Sequence, residues 1–435
     1  MHRNILKITL FLILCLSVQA VAQQSTYSPY SRYGIGELTF GGFGPQIAMG
    51  GLSAAYADSL HINFYNPASY SALKLTTFDV GVRGELNRLS SSTGTDNART
   101  AAFSYLALGF PIVKDRAGIA FGLVPFSNKG YNIEQKITDS LIIGNQLYSY
   151  EGSGGINQFF LGAGFTVNKN ISVGVNGSYY FGNLKTTNSV EFPDSTNFLN
   201  SRLIRTTDIG DVSASAGINI KHKISEKSNI IYGFTGTIDR KIKAQNNLLI
   251  ENYFKTTSGG EAIKDTVLLE DGINGDIVFP VTFSGGIVVE HNKTWLVGAD
   301  FEMQNWSDFE SFGVKDSLQN SFRFSLGGQY SPQKVTGGFW SKRAVYRAGF
   351  KYYTSYLELQ NTAIEEYGIT FGLAIPANTT KIRGTSEKPF YSNINLSFEL
   401  GKRGTTESSL IKEEYLKMTV GLTLRDKWFN PRKYD

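Results

Sequence analysis

The chain has 435 residues, of which 41% are hydrophobic, 13% are aromatic and only 18% are charged. Its net charge of +5 is too mild for a nucleic-acid-binding protein, so we expect no nucleic-acid partner. The single cysteine, Cys15, lies in a segment that we expect to be removed, which excludes disulfides, thiolate metal sites and cysteine nucleophiles from the mature protein.

The first 22 residues have the features of a secretory signal peptide. Arg3 and Lys7 make the start basic, an apolar run covers residues 8–18, and Ala20 and Ala22 form a small-residue cleavage site. No other stretch approaches the ~18 apolar residues of a membrane helix. We therefore expect residues 1–22 to be cleaved. Together with the strand alternation of residues 75–424, these features lead us to expect the protein in the outer membrane of a Gram-negative cell.

Residues 23–74 differ from the rest of the chain because they show little alternation and many small residues. Seven glycines fall between Gly34 and Gly51. The segment is too long for a tail and too apolar for a disordered linker. We expect it to fold inside a barrel as an N-terminal plug, or hatch. Its glycine run follows no strand and lacks the spacing of a phosphate-binding loop, so a packing role is favoured.

Residues 75–424 alternate between apolar and polar side chains. In Thr77–Asn87, Phe78 and Val82 fall on one face, and Asp79 and Arg83 on the other. A closed barrel in lipid needs this pattern, because one face meets hydrocarbon and the other a wet lumen. We predict an all-β fold: a transmembrane antiparallel β-barrel of about 14 strands, followed by a short tail at 425–435. The predicted strand cores are Thr77–Asn87, Ala101–Phe110, Gly118–Ser127, Gln158–Val167, Ile171–Leu184, Asp211–Lys221, Ile230–Lys241, Phe279–Glu290, Trp295–Trp306, Phe322–Tyr330, Val345–Tyr353, Tyr367–Ile375, Ser392–Leu400 and Tyr415–Leu424.

The connections alternate between short and long, as the periplasmic turns and external loops of such barrels do. We expect long external loops at 183–207 and 244–276. The connection 376–391 is long where a short turn is expected, which leaves the strand count near it open. Apolar residues in the external segments, such as Leu249 and Tyr253, favour either a ligand-capture groove or strands that extend above the membrane. The spacing of Ile133, Ile137 and Leu141 also permits a short amphipathic helix.

Several segments, taken in chain order, resemble the FadL/toluene-X family of outer-membrane transporters of hydrophobic compounds. Residues 49–58, followed by Asn66, Pro67 and Ala68, resemble the family's hatch motif. Residues 28–34 resemble a variant that is common in Bacteroidota. The chain departs from the family by continuing beyond its last strand, where Trp428-Phe429 is the candidate insertion signal. The other matching segments are Leu123–Phe126, Phe279–Gly286, Ala299–Phe309 and Tyr346–Phe350.

The resemblance implies a hatch-plugged barrel that captures a fatty acid or aromatic hydrocarbon outside and releases it sideways into the bilayer. The opening would come from an inward kink in the third strand. The candidate gate residues there are Gly122, Pro125, Phe126 and Gly130. Pro125 has no N–H to leave unpaired in a broken ladder. The alternative interpretation is that Pro125 marks an ordinary bulge or strand end.

Several cations face the lumen by alternation, and a fatty carboxylate needs such a partner in an apolar pocket. Barrel interiors also carry ion pairs that hold plugs and walls, so this second role stays open. The ligand candidates are Arg83, Arg323, Arg347 and Lys351, and the carboxylates available to them include Asp79, Glu85, Asp300 and Glu302.

The mature sequence carries no catalytic or metal-binding motif, and we expect neither an enzyme nor a cofactor. We favour outer-membrane transport of hydrophobic small molecules, with the ligand and outer-membrane lipids as partners. A general diffusion porin is a second candidate, which a plug argues against. The third is a barrel-shaped shuttle component of type IX protein secretion, which predicts a protein partner.

Overall fold

The computed structural model describes residues 25–139, 144–194, 198–238, 240–256, 260–292, 294–332, 340–380 and 390–428. The predicted signal peptide, Leu141, Phe429 and most of the predicted tail lie outside these residues. No helix in these ranges is long and apolar enough to cross a membrane.

Strands dominate the described residues, and helical turns are short. The N-terminal segment holds η1 (Pro29–Arg32), β1 (Glu37–Leu38), α1 (Gly44–Ile47) and η2 (Pro67–Ala72). The strands that follow are β2 (Thr76–Ser90), β3 (Thr95–Val113), β4 (Ala117–Asn128), β5 (Tyr131–Asp139), β6 (Gly144–Thr166), β7 (Ile171–Glu191), β8 (Asn200–Lys223), β9 (Ser228–Thr237), β10 (Arg240–Lys255), β11 (Glu261–Phe279), β12 (Thr282–His291), β13 (Trp295–Gln304), β14 (Glu310–Ser311), β15 (Val314–Lys315), β16 (Ser321–Tyr330), β17 (Val345–Leu359), β18 (Thr362–Thr380), β19 (Phe390–Arg403) and β20 (Lys412–Asp426). Short 3-10 turns are η3 (Trp306–Asp308), η4 (Trp340–Lys342) and η5 (Glu407–Ser409).

Antiparallel pairing closes these strands into a barrel of 14 wall strands. Consecutive strands pair around the ring, and β20 returns to pair with β2 along its whole length, from Thr76 opposite Asp426 to Ser90 opposite Lys412. Three wall strands are made of two segments each: β4 with β5 against β6, β9 with β10 against β8, and β11 with β12. The predicted fold class and strand number are confirmed.

Burial alternates along the wall as the sequence predicts. In β7, Val175 is 61% exposed whereas its neighbour Asn176 is 3% exposed. In β2, Asp79 is buried and Val82 is exposed. Because a register error of one residue would exchange the two faces, this agreement fixes which side chains point inward.

Several strands run much further than the sequence patterns indicated. The expected long loops at 183–207 and 244–276 are instead the ends of the β7–β8 and β10–β11 hairpins. Leu249 and Tyr253 lie in the β10 ladder, so the alternative that the strands extend and pair there is confirmed. Ile133 and Ile137 belong to β5, so the amphipathic-helix alternative is wrong for them. The connection expected at 376–391 is shorter than the sequence indicated, because β18 continues to Thr380 and β19 begins at Phe390. The open strand count is therefore settled at 14.

Residues 25–73 lie against the inner face of the wall. At eight wall glycines, an added Cβ would come within 2.0–2.4 Å of an atom of this segment, so only glycine allows the contact. Met49, Leu52 and Tyr56 are buried against Ile231 and Val288 of the wall. The segment therefore packs tightly on strands all around the ring. The glycines are Gly118, Gly164, Gly174, Gly217, Gly233, Gly327, Gly349 and Gly372.

Candidate functional site

The third wall strand loses one of its two neighbours halfway along. Pairing between β4 and β3 ends at Leu123 opposite Leu106. Pairing between β4 and β6 continues to Asn128 opposite Gly155, and β5 extends it. Beyond Leu106 towards Thr95, β3 pairs only with β2 among the described residues. The wall is thus unpaired between β3 and the upper part of the third strand.

The N-terminal segment occupies the edge that β3 leaves. In β1, Glu37 lies opposite Asn128 and Leu38 opposite Ser127. The Thr39 amide then donates to the Phe126 carbonyl at 2.9 Å. The segment thereby pairs with the backbone of Phe126, Ser127 and Asn128, whose polar groups would otherwise lack partners on this side.

The four candidate gate residues lie along this stretch. Gly122 sits next to the last pair, where an added Cβ would lie 2.4 Å from the Leu106 carbonyl oxygen. The register against β6 shifts between Pro125 and Ser127, which makes Phe126 the extra residue of a bulge. The bulge and the missing ladder to β3 occur together, so the two interpretations of Pro125 are compatible.

A cavity of about 100 Å³ lies inside the barrel beside this edge. Leu38 and Phe40 of the segment line it, together with Pro125 and Phe126 of β4. Phe126 contacts Tyr180 edge to face, with ring centroids 4.8 Å apart. The lining also includes seven wall residues with hydroxyl side chains: Ser178, Ser213, Ser215, Thr235, Thr237, Thr282 and Ser284. Such a surface accepts an apolar or aromatic molecule and offers it weak polar contacts.

Two of the predicted ligand cations are held in ion pairs with the wall. Arg323 is bonded to Glu302 at 2.6 Å, and its guanidinium lies 4.9 Å from the centre of the Phe40 ring. Lys351 lies between Glu366 at 2.8 Å and Glu399 at 2.6 Å. For these cations the alternative role, holding the wall and the segment, describes the geometry.

The other two cations are placed differently. Arg347 is buried; its Nε donates to the Gln329 side chain at 2.8 Å, and one terminal nitrogen has no partner in the described residues. Arg83 is half-buried on the inner face of β2. None of the four predicted cations is among the residues that line the cavity.

The hatch motif holds the segment together and to the wall. The Asn66 side-chain amide donates to the Ala54 carbonyl at 2.5 Å and to the Asn219 side chain of β8 at 2.9 Å. Its oxygen accepts from the Ala68 amide at 3.1 Å, which caps the turn that begins at Pro67.

Sequence reasoning missed one anchor of the segment, a pair of hydrogen bonds to the wall. One carboxylate oxygen of Asp300, a residue of β13, accepts from the Ser53 amide at 2.5 Å and the Ala54 amide at 2.7 Å. In the sequence, Asp300 is a candidate partner for lumenal cations and belongs to the segment Ala299–Phe309 that resembles the family. The signal that could have identified it is an acidic residue on the inward-facing side of a strand, but the sequence does not show which amides it meets.

A second cluster joins the segment to the last strand. His61 Nδ1 donates to the Asp58 carboxylate at 2.6 Å, and its Nε2 accepts from the Arg425 guanidinium at 2.8 Å. Burial, and then the nearby Arg425 charge, lower the pKa of His61 to about 4. The histidine is therefore neutral at pH 7, in the one tautomer that both hydrogen bonds require.

A third cluster holds the outer part of the segment. Glu37 is paired with Arg403 at 2.7 Å and with Lys417 at 3.5 Å. Burial would raise the pKa of Glu37, but these two cations hold it well below its ordinary value. Ser28 donates to Glu413 at 2.5 Å in the same cluster. The strand that covers the edge of β4 is thereby anchored by charge as well as by its ladder.

Comparisons with known proteins agree with this architecture. Among solved structures, the monoaromatic hydrocarbon channel CymD shares 14% identity, with a TM-score of 0.56 over 90% of this chain and 99% of that one. The toluene transporter TodX of Pseudomonas putida shares 14%, with a TM-score of 0.57 over 90% and 100%. A FadL homologue of Pseudomonas aeruginosa shares 12%, with a TM-score of 0.53 over 89% and 98%. These identities show a common fold, and the titles name no enzyme.

No curated protein matches the sequence. The family model BamG matches residues 3–435, almost the whole chain. This chain therefore belongs to the BamG family, and its barrel has the fold of the FadL and TodX structures.

Proposed function

We propose that this protein carries hydrophobic small molecules across the outer membrane and releases them sideways through the wall. The observation that carries the proposal is the separation of β3 from β4 beyond Leu123, next to a cavity that Phe126 also lines. An apolar ligand gains nothing from a water-filled pore, whereas lateral release keeps its surface out of water.

The cavity favours a small neutral ligand over a long-chain acid. Its volume of about 100 Å³ is near the ~150 Å³ at which an apolar protein cavity accepts benzene. Among the described residues, the lining contains no lysine, arginine or histidine, and its one charged side chain, Glu302, is itself a carboxylate, which disfavours an acidic ligand. We therefore favour a compound with a single aromatic ring. The titles of the CymD and TodX structures name ligands of this kind for those proteins.

Residues 25–73 would act as the hatch that closes the lumen. Their contacts with wall glycines on many strands support a segment folded within the barrel, which disfavours a general diffusion porin. Leu38 lies between the cavity and the unpaired part of the wall, on the edge of β4. Passage of ligand then requires the residues around Leu38 to leave this edge for a time.

A reversible disulfide between β1 and β4 tests this route. Leu38 and Ser127 are directly opposed in the ladder, at the Cα separation of ~4.5–5.5 Å that a disulfide accepts. In the variant L38C/S127C, oxidation should abolish toluene uptake by cells, and reduction should restore it. The matched control is the variant V289C/V297C, whose two positions are directly opposed in the continuous ladder between β12 and β13. Full uptake by oxidised L38C/S127C would show that ligand leaves by another path.

A further inference from the structure

One side of the barrel rises above the rest as a projecting sheet. The strands β9 and β12 have ten residues each, which is the length that crosses the hydrocarbon when a strand tilts by ~45°. Their continuations, β10 and β11, add 16 and 19 residues beyond that point. These continuations pair onward through β8, β7 and β6 to β5, so the six strands form one sheet.

β11 forms one edge of this sheet, and most of its outer side is unpaired in the described part of the chain. β11 pairs with β14 at Ile277 and Val278, and the Phe312 amide donates to the Asp276 carbonyl at 2.9 Å. From Gly275 to Glu261, the only strand that pairs with β11 in the described part of the chain is β10. Proteins rarely leave so long an edge open, because its unpaired amides and carbonyls recruit other strands.

The side chains on this edge are unusual for a surface in water. Ile263, Val267, Leu269 and Ile273 are 59%, 58%, 67% and 42% exposed. Residues 261–276 also contain five acidic residues and one lysine. Glu261 is paired with Arg202 at 2.6 Å, so the negative charge of the strand comes from Asp265, Glu270, Asp271 and Asp276. The edge therefore combines apolar contact area with a negative rim. Such a combination is typical of protein interaction sites rather than of inert surface.

We propose that the free edge of β11 docks a protein partner that adds a strand bearing apolar and basic side chains. The basic character follows from the negative rim, which a positive partner would complement. Addition of a strand satisfies the open backbone groups, and apolar side chains cover the exposed ones. This interaction is independent of the transport route proposed above.

Two features argue against other occupants. The register between β10 and β11 shifts three times, between Asn246 and Leu248, between Ile250 and Glu251, and between Asn252 and Tyr253. A second copy would have to match the same bends while opposing acid to acid, so self-association is disfavoured. The negative rim likewise opposes contact with the anionic surface of the outer leaflet.

A strand-forming peptide tests the proposal on the full-length protein in detergent. The probe is a ten-residue peptide of alternating valine and lysine, and its counterpart replaces lysine with glutamate. We expect the lysine peptide to slow amide exchange in residues 261–276 at least tenfold and the glutamate peptide to have no effect. Absence of protection, or equal protection by both peptides, would overturn the proposal.

Charge reversal supplies the matched control. The variant D265K/D271K should weaken binding of the lysine peptide at least tenfold, whereas D96K/E134K, which makes the same change on two other exposed strands, should leave it unchanged. Equal weakening in both variants would overturn the proposal by showing attraction to overall charge alone.

Photocrosslinking in cells identifies the occupant. A benzoylphenylalanine at Leu269 should give an adduct with a different protein that disappears in D265K/D271K, and one at Ile137 should not. An adduct of twice the chain mass, or one with lipopolysaccharide alone, would overturn the assignment to a protein partner.

Discussion

Replacement of Asp300 by alanine should release the N-terminal segment from the wall. One oxygen of this buried carboxylate accepts hydrogen bonds from the Ser53 and Ala54 amides. Each buried amide that loses its partner costs about 1–3 kcal/mol, so the two together cost about 2–6 kcal/mol. Near the middle of that range, at ~4 kcal/mol, the equilibrium between released and docked segment shifts by about a thousandfold.

Amide exchange measures this shift directly. In Asp300→Ala, the Ser53 and Ala54 amides should exchange at least a hundredfold faster, while the strand amides of β2 and β20 keep their protection. Asp300→Asn is the matched control, because its side-chain oxygen still accepts hydrogen bonds, and its effect should be within about tenfold. Cells carrying Asp300→Ala should also become more sensitive to vancomycin. Unchanged exchange at these two amides in Asp300→Ala would refute the reasoning.

Two further predictions concern the same segment. The pKa of His61 is about 4 in the folded state, below its ordinary 6.5. Docking of the segment is therefore weakened as pH falls from 6.5 towards 4, by about 2 kcal/mol at pH 5. Protease cleavage near Asp58 should rise on acidification, and a pH-independent cleavage rate would contradict this. Gly349→Val should impair assembly, since an added Cβ would lie 2.3 Å from the Met49 carbonyl carbon. In the control Gly328→Val, the nearest atom to an added Cβ lies at 3.3 Å, so this variant should be tolerated. Equal heat-modifiability of the two variants on gels would count against the tight contact at Gly349.

The sequence was sufficient to predict the membrane-facing part of the barrel. Period-two alternation identified 14 strand cores, because each side chain of the membrane-spanning wall faces either the hydrocarbon or the interior of the barrel. Val175 faces outward and is 61% exposed, whereas its neighbour Asn176 faces inward and is 3% exposed. Asp79 and Val82 on β2 show the same rule at the other end of the barrel sequence.

The sequence was insufficient wherever both faces of a strand meet water. In β11, Val267, Leu268 and Leu269 follow one another and are all exposed, so no alternation marks the strand. Bulges in the same strand disrupt what periodicity remains. These are the physical reasons why the sequence predicts a long loop at 244–276 and leaves paired strands there only as an open alternative.

The candidate site was only partly predictable because its contacts join residues distant in sequence. Pro125 and its glycine neighbours indicated the right stretch of the third strand through their backbone properties, which are local. The partners of Arg323 and Asp300 depend on barrel closure and on the path of the segment. Inward alternation places both residues in the lumen but does not distinguish a ligand contact from the Glu302 ion pair that the structure contains.

Two ladder edges in the described residues, those of β4 and β11, have opposite chemistry, and this difference separates their roles. The edge of β4 is paired with Leu38 of the same chain, and the charged cluster at Glu37 anchors that contact. An edge satisfied internally can open only at a cost in hydrogen bonds, which suits a gate that is closed at rest. The edge of β11 has no such cover in the described residues, and its exposed Leu269 makes the uncovered state unfavourable. A free edge of that kind is stabilised by a partner, so occupancy at β11 should not alter the docking of β1 on β4.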